Sequence, residues 1–134
     1  MCLKRVLVVL AIGYFIFIGW VIYLVNTGQK SVFFELVAVI PYGDKVGHFC
    51  LFGFLSLFLN LAFKFKTWAV ASLKLYWGAL IVLTFVTFEE LSQYLIVTRR
   101  FDFADYISAL LGIGVFSWLC YFYRKQVAKK QPVD

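Results

Sequence analysis

Val6–Val25 runs VLVVLAIGYFIFIGWVIYLV, twenty residues without a charge. As a helix rising 1.5 Å per residue it measures about 30 Å, the thickness of a bilayer's hydrocarbon core. Lys4 and Arg5 precede it, as in a secretory signal peptide. The run is too long for a typical signal h-region, and no A-x-A cleavage pattern follows, so a retained anchor is expected. Three more apolar stretches follow. His48–Phe63 has no fixed charge and extends back towards Asp44. Leu75–Val97 carries Glu89, Glu90 and Gln93 near its far end. Phe103–Tyr123 is uncharged after Asp105. None alternates apolar with polar residues, which excludes a transmembrane β-barrel. The expected fold is an all-α membrane protein, a four-transmembrane-helix bundle forming one domain over residues 1–134. Its spans are expected at about 6–25, 46–63, 75–96 and 103–123. Composition agrees: 63% of residues are hydrophobic, 15% are charged, and mean hydropathy is +0.89. Soluble proteins average roughly 45–50% apolar and about 25% charged residues. Water-soluble, disordered and nucleic-acid-binding classes are excluded on that ground.

The connections differ in character. Lys64–Lys74 is short and basic, and Arg99–Asp102 reads as a tight polar turn. Within Asn26–Gly47, the nine-residue segment Val32–Ile40 is apolar and is ended by Pro41. It is too short to span, so a short interfacial or re-entrant helix between spans one and two is expected. With the N-terminus in the cytoplasm, four crossings return the C-terminus there. The inside then holds Lys4, Arg5, Lys64, Lys66, Lys74, Arg124, Lys125, Lys129 and Lys130 against Asp134 alone. The outside holds Lys30, Lys45, Arg99 and Arg100 against Glu35, Asp44, Glu89, Glu90, Asp102 and Asp105. The chain's +6 thus divides into +8 inside and −2 outside, and the positive-inside rule favours N-in/C-in. The basic excess is a topology and anionic-lipid signal. Cys2, Cys50 and Cys120 do not share one oxidising side, so no disulfide framework is implied.

Polar residues gather where the spans meet the outer surface, in three groups: Asp44-Lys45-Val46-Gly47-His48-Phe49, Glu90-Leu91-Ser92-Gln93, and Arg99-Arg100-Phe101-Asp102-Phe103-Ala104-Asp105. Glu90 and Gln93 are spaced i, i+3, as are Asp102 and Asp105. His48, Phe52, Ser56 and Asn60 form an i, i+4 stripe. Thr84, Thr87 and Glu90 form a second stripe. Ala104, Ser108 and Gly112 form a third, of small residues suited to close helix contact. Ordinary roles exist for each. Asp44 and Asp102 fit helix N-caps, with Asp105 at a third position. His48 fits a bond to a neighbouring helix, and Ser56, Asn60, Thr84 and Thr87 fit interhelical hydrogen bonds. Trp20, Tyr23, Tyr42, Trp77, Trp118 and Tyr121 fit an interfacial belt. Glu90 is different, because an acid within a span costs about 2.5–3.5 kcal/mol on insertion scales and usually faces a partner or a cavity. Arg99, His48 and Lys45 are its available partners. Whether Glu89 or Glu90 faces the interior is open at this level.

In order and spacing, these groups resemble the VanZ-like family of small membrane proteins. Asp44, Lys45, His48, Phe49 and Phe52 match its D-K-x-x-H-F-x-x-[FY] segment. Glu90 and Gln93 match E-x-x-Q, and Arg99, Asp102, Asp105 and Gly112 match the positions that follow. The resemblance spans about Asp44–Gly112. Val97-Thr98 stands where the family has Pro-Gly, and Ala109 stands where it has asparagine. The resemblance implies a multi-pass protein of the bacterial cytoplasmic membrane, with a link to resistance to teicoplanin-type glycopeptides. It implies no specific enzyme activity. The residues support three readings. In the first, a non-enzymatic envelope protein binds an anionic or lipid-linked molecule in a polar pocket of Asp44, Lys45, His48, Glu90, Gln93, Arg99, Asp102 and Asp105. In the second, the polar residues hold together a bundle that assembles with a partner membrane protein. In the third, an intramembrane enzyme uses His48 or Glu90 as general base and Arg99 against developing charge. Membrane lipids or a lipid-linked envelope precursor are the expected partners, and no cofactor or metal is expected.

Overall fold

The computed structural model describes residues 2–97 and 99–130, with Phe33 by its backbone alone. Thr98, part of the departure from the family's turn, and Asp134, counted with the inner charges, lie outside the described residues. The described residues form five α-helices: α1 (Cys2–Asn26), α2 (Val32–Val39), α3 (Gly43–Ala62), α4 (Trp77–Ser92) and α5 (Phe103–Lys130). A 3-10 turn, Gln93–Leu95, extends α4. Three of these, α1, α3 and α5, are long and apolar enough to cross a membrane. The third expected span, at about 75–96, is shorter than anticipated, since α4 has 16 residues before the 3-10 turn.

The all-α expectation is corrected at one place. The basic connection is not a plain loop but a hairpin of β1 (Thr67–Val70) and β2 (Leu73–Tyr76), antiparallel with Trp68 opposite Leu75. β-branched and aromatic residues favour a pleated surface, and Trp68 stacks on Trp77 with ring centroids 5.7 Å apart. Leu75 and Tyr76 therefore belong to a strand, and the helix of the third stretch starts at Trp77. The turn is Ala71-Ser72, with Ala71 at φ 53°, a conformation more readily taken by glycine.

Helix ends explain why the chain reverses where it does. At the end of α1, Gly28 takes φ 66°. Gln29 N–H then reaches Leu24 C=O at 3.0 Å, and Gly28 N–H reaches Val25 C=O at 3.2 Å. This is a Schellman closure satisfying the last carbonyls. Lys64, at φ 53°, closes α3 the same way, with Phe65 N–H on Asn60 C=O at 2.8 Å and Lys64 N–H on Leu61 C=O at 3.0 Å. α3 begins after Tyr42, also left-handed and offering no side-chain cap. Asp44 lies inside the first turn, so its expected N-cap role is corrected. Asp102 does cap α5: its Oδ1 accepts Ala104 N–H at 2.8 Å.

The core is a single cluster of Ile18, Phe52, Leu55, Val82, Val86, Ala109 and Ile113, drawn from α1, α3, α4 and α5. Gly112 sets the spacing between α3 and α5, because a Cβ there would strike the Phe49 carbonyl. Outside this core the helices are apolar and uncovered. Only 11% of the apolar window of α1 is buried, and its exposed residues include Val9, Ile12, Ile16 and Trp20. A soluble chain of 15.5 kDa exposes about 7,200 Å², whereas this one exposes 9573 Å². The excess suits a molecule whose flanks meet lipid rather than water.

Candidate functional site

The stripe on α3 points inward as its spacing predicts: Phe52, Ser56 and Asn60 are buried and His48 is half-buried. It links two polar regions at opposite ends of the bundle. At the hairpin end, Asn60 Oδ1 accepts Ala79 N–H at 3.0 Å. Tyr76, the residue before α4, supplies no side-chain cap, so α3 satisfies one of the first amides of α4 in its place. Asn60 Nδ2 also donates to Ser117 Oγ at 3.4 Å. The expected interhelical role holds for Ser56, Asn60 and Thr87, whose hydroxyl meets Tyr106 OH at 3.0 Å. It fails for Thr84, which is exposed and returns its hydroxyl to Leu80 C=O of its own helix. Ser108 does the same with Ala104 C=O. Ala109, in place of the family's asparagine, is wholly buried in the core.

The other end gathers all eight expected site residues. α3 leaves from it, α4 arrives at it, and α5 leaves from it, so residues far apart in sequence meet. Lys45 Nζ lies 3.0 Å from Asp44 Oδ2, 3.3 Å from Asp102 Oδ2 and 3.2 Å from Asp105 Oδ1. This ties α3 to the start of α5. The Asp102 carboxyl is held below the usual carboxylate range, first by the Ala104 N–H and then by Lys45.

A second set surrounds the end of α4. Both acids of the Glu89-Glu90 pair are buried, at 8% and 1% exposure. The question of which one faces inward is thus answered by both doing so, towards different partners. Arg99 Nη1 donates to Glu89 Oε1 at 3.0 Å and to Asn26 Oδ1 at 2.9 Å. Gln93 Nε2 lies 3.3 Å from each Glu89 oxygen. Glu89 and Asn26 are members of the site that sequence reasoning missed. Asn26 gave no signal beyond closing the first span. Glu89 carried the same signal as its neighbour.

Glu90 is placed otherwise. Its Oε1 lies 3.6 Å from His48 Nε2, beyond hydrogen-bond reach. Among the described residues neither of its oxygens has a hydrogen-bond partner. His48 Nδ1 is 2.8 Å from the Asp44 carbonyl oxygen. A carbonyl only accepts, so Nδ1 carries the proton and Nε2 turns its other face to Glu90. Two apolar grooves lie at the hairpin end instead, of about 800 Å³ beside Leu73, Tyr76, Leu83 and Trp118, and of about 600 Å³ beside Val8, Phe15, Leu59 and Ile81.

No family model, curated protein or solved structure matches the chain.

Proposed function

We propose that this chain is a VanZ-like, multi-pass protein of the bacterial cytoplasmic membrane. Its outer polar cluster binds a lipid-linked envelope molecule without transforming it, and it is linked in that way to glycopeptide resistance. The four-span arrangement draws support from length: α4 rises about 24 Å and its 3-10 extension brings it to about 30 Å. It draws support also from the charge distribution. Lys4, Lys64 and Lys66 line one groove at the hairpin end, and Lys74 and Arg124 the other. Asp44, Glu89, Glu90, Asp102 and Asp105 lie at the opposite end. That asymmetry favours the hairpin end as cytoplasmic, with N-in/C-in topology. α2 then lies on the outer side as an interfacial or re-entrant element.

The observation that carries the binding reading is Glu90. A network evolved only to close the bundle satisfies its buried acceptors, and this one leaves both oxygens of a 1% exposed carboxylate without a hydrogen bond among the described residues. The ligand is best described as amphiphilic rather than simply anionic. Glu90 offers acceptors to a hydroxyl or amide, and of Lys45 and Arg99 it is the more exposed Lys45 that can exchange a carboxylate for a phosphate. A structural second reading is favoured by Arg99, whose guanidinium joins α1 to α4 through Asn26 and Glu89.

Native mass spectrometry of protein extracted from its own membrane separates the two. A co-purified lipid that is retained by wild type and lost from Glu90→Gln protein accumulating normally supports binding. Absence of any retained lipid, with Glu90→Gln fully functional in cells, overturns it.

A further inference from the structure

We infer that His48, Glu89 and Glu90 form a site for one divalent cation of the Mn²⁺ or Zn²⁺ type. This goes beyond the envelope-ligand reading but draws on the same Glu90 oxygens, and ion binding to the protein in detergent is read apart from lipid retention. One ligand atom from each of the three residues lies within 4.8 Å of the others. His48 has the arrangement of a metal-ligating imidazole: Nδ1–H is fixed on a backbone carbonyl, and Nε2 is left to face the site. Across the 3.6 Å between Nε2 and Glu90 Oε1, two bonds of about 2.1 Å meet at about 118°, an angle open to tetrahedral and five-coordinate ions. Glu90, 1% exposed and without a hydrogen bond on either oxygen, is aimed at that gap. A carboxylate and an imidazole nitrogen facing each other without hydrogen-bond contact repel unless a proton or a metal ion lies between them.

Charge is compatible with a cation here. Five carboxylates, Asp44, Glu89, Glu90, Asp102 and Asp105, face two cations, Lys45 and Arg99. With all five carboxylates ionised and His48 neutral the cluster sums to −3, and a divalent ion brings it to −1. Glu89 can serve both Arg99 and the ion, since its Oε1 takes the guanidinium and Oε2 holds only a 3.3 Å contact from Gln93. The imidazole donor selects Mn²⁺ or Zn²⁺ over Ca²⁺ and Mg²⁺, which prefer all-oxygen sites.

The test uses the full chain in detergent, stripped with chelator and titrated with Mn²⁺ or Zn²⁺ alone. One equivalent should bind saturably. With Mn²⁺, electron spin-echo spectra should show coupling to an imidazole nitrogen. Glu90→Gln, close in shape to the native residue, should weaken affinity at least about tenfold. Asp102→Asn should leave it within about threefold, because surface charge acts on the ion only through a screened field. Three results overturn the assignment. The first is no saturable binding of either ion, which leaves a proton between His48 and Glu90. The second is bound Mn²⁺ without nitrogen coupling. The third is binding lost in Asp102→Asn but kept in Glu90→Gln, which moves the ion to the Asp44–Asp102–Asp105 group.

Discussion

Lys45 and Arg99 carry opposite burdens. Lys45 is divided among three carboxylates, and two of these, Asp44 and Asp102, are 55% and 47% exposed. Ion pairs in that setting are worth about 0–1 kcal/mol each, so an incoming group can replace one at little cost. The side chains of Arg99 and Glu89 are 16% and 6% exposed. Removing the arginine strands a buried carboxylate, a loss of about 3–5 kcal/mol. Asp102 makes the first of these regimes measurable. Its folded pKa lies below the ordinary aspartate value, first because of the Ala104 N–H and next because of Lys45. Its contribution to stability is therefore fully present above the unfolded value and lost as pH falls through the lowered one. Asp102→Asn keeps an oxygen for the cap and removes the titration. Its unfolding midpoint should depend less on pH below about 4 than that of wild type, and an unchanged acid limb would show that the cap carries no pH-linked stability. At this scale the sequence was half legible. Helical spacing placed His48, Gln93 and Asp105 at this end, and Lys45 came with its neighbour Asp44 in the first polar group. Glu89 was not, because adjacent acids at a helix end point about 100° apart and hydropathy cannot say which is covered. Its cover is Arg99, a loop residue, together with Asn26 from the far end of α1.

Elements rest on the seam between α3 and α5. Gly112 there meets the Phe49 carbonyl, while Gly114, two residues on, has nothing within 4 Å of a built Cβ. The two glycines read alike in sequence and separate in energy. Gly112→Ala must push α3 from α5, which costs about 1–3 kcal/mol by overpacking. Gly114→Ala only gains helix propensity, about 0.8–1.0 kcal/mol in a helix interior measured in water. Thermal unfolding in detergent should therefore lower the midpoint of the first and hold or raise that of the second. Equal behaviour of the two would mean that the close approach at Gly112 does not hold in solution. The separation of helix centres also places Lys45 against Asp105, so Gly112→Ala should loosen the polar end. The long helices were legible because apolar runs and charged flanks are strong signals. The hairpin was not: its strands are four residues each, and its turn is Ala71-Ser72 rather than a glycine or asparagine pair. Nothing local marks such a turn. The pairing is instead supported from outside the strands, by Trp77 against Trp68 and by the Trp77 N–H on Lys66 C=O at 3.1 Å.

For the whole molecule, the bundle has a basic end and an acidic one, and the apolar flanks between them are bare. A soluble protein hides Val9, Ile16, Leu111 and Leu119; here all four are exposed. The exposed tyrosines and tryptophans sort to the ends: Tyr23, Tyr42 and Tyr94 lie near the acidic end, and Trp77, Trp118 and Tyr121 near the basic one. Those two sets suit the two headgroup levels of one bilayer. Arg124 fixes the basic end by lying 5.6 Å over the Phe65 ring and donating to the Phe65 carbonyl at 3.3 Å. This joins α5 to the turn that leads into the hairpin. If α4 crosses, the connections after α1 and after α4 share one side, and the hairpin shares the other with both termini. Cysteine labelling in intact cells tests that directly. The native cysteines are all unpaired, so replacing them with serine or alanine removes background without breaking a bridge. In that background Gln29→Cys and Arg100→Cys should react with a membrane-impermeant maleimide added outside. Ala69→Cys, at the exposed hairpin, should react only after the cells are opened. If α4 instead stays on the inner surface, Arg100→Cys moves to the protected set while Gln29→Cys remains reactive. In that event His48 and Glu90 would face opposite sides of the membrane in a chain whose α3 crosses. Their 3.6 Å approach therefore already weighs against that arrangement, and labelling at position 100 decides it.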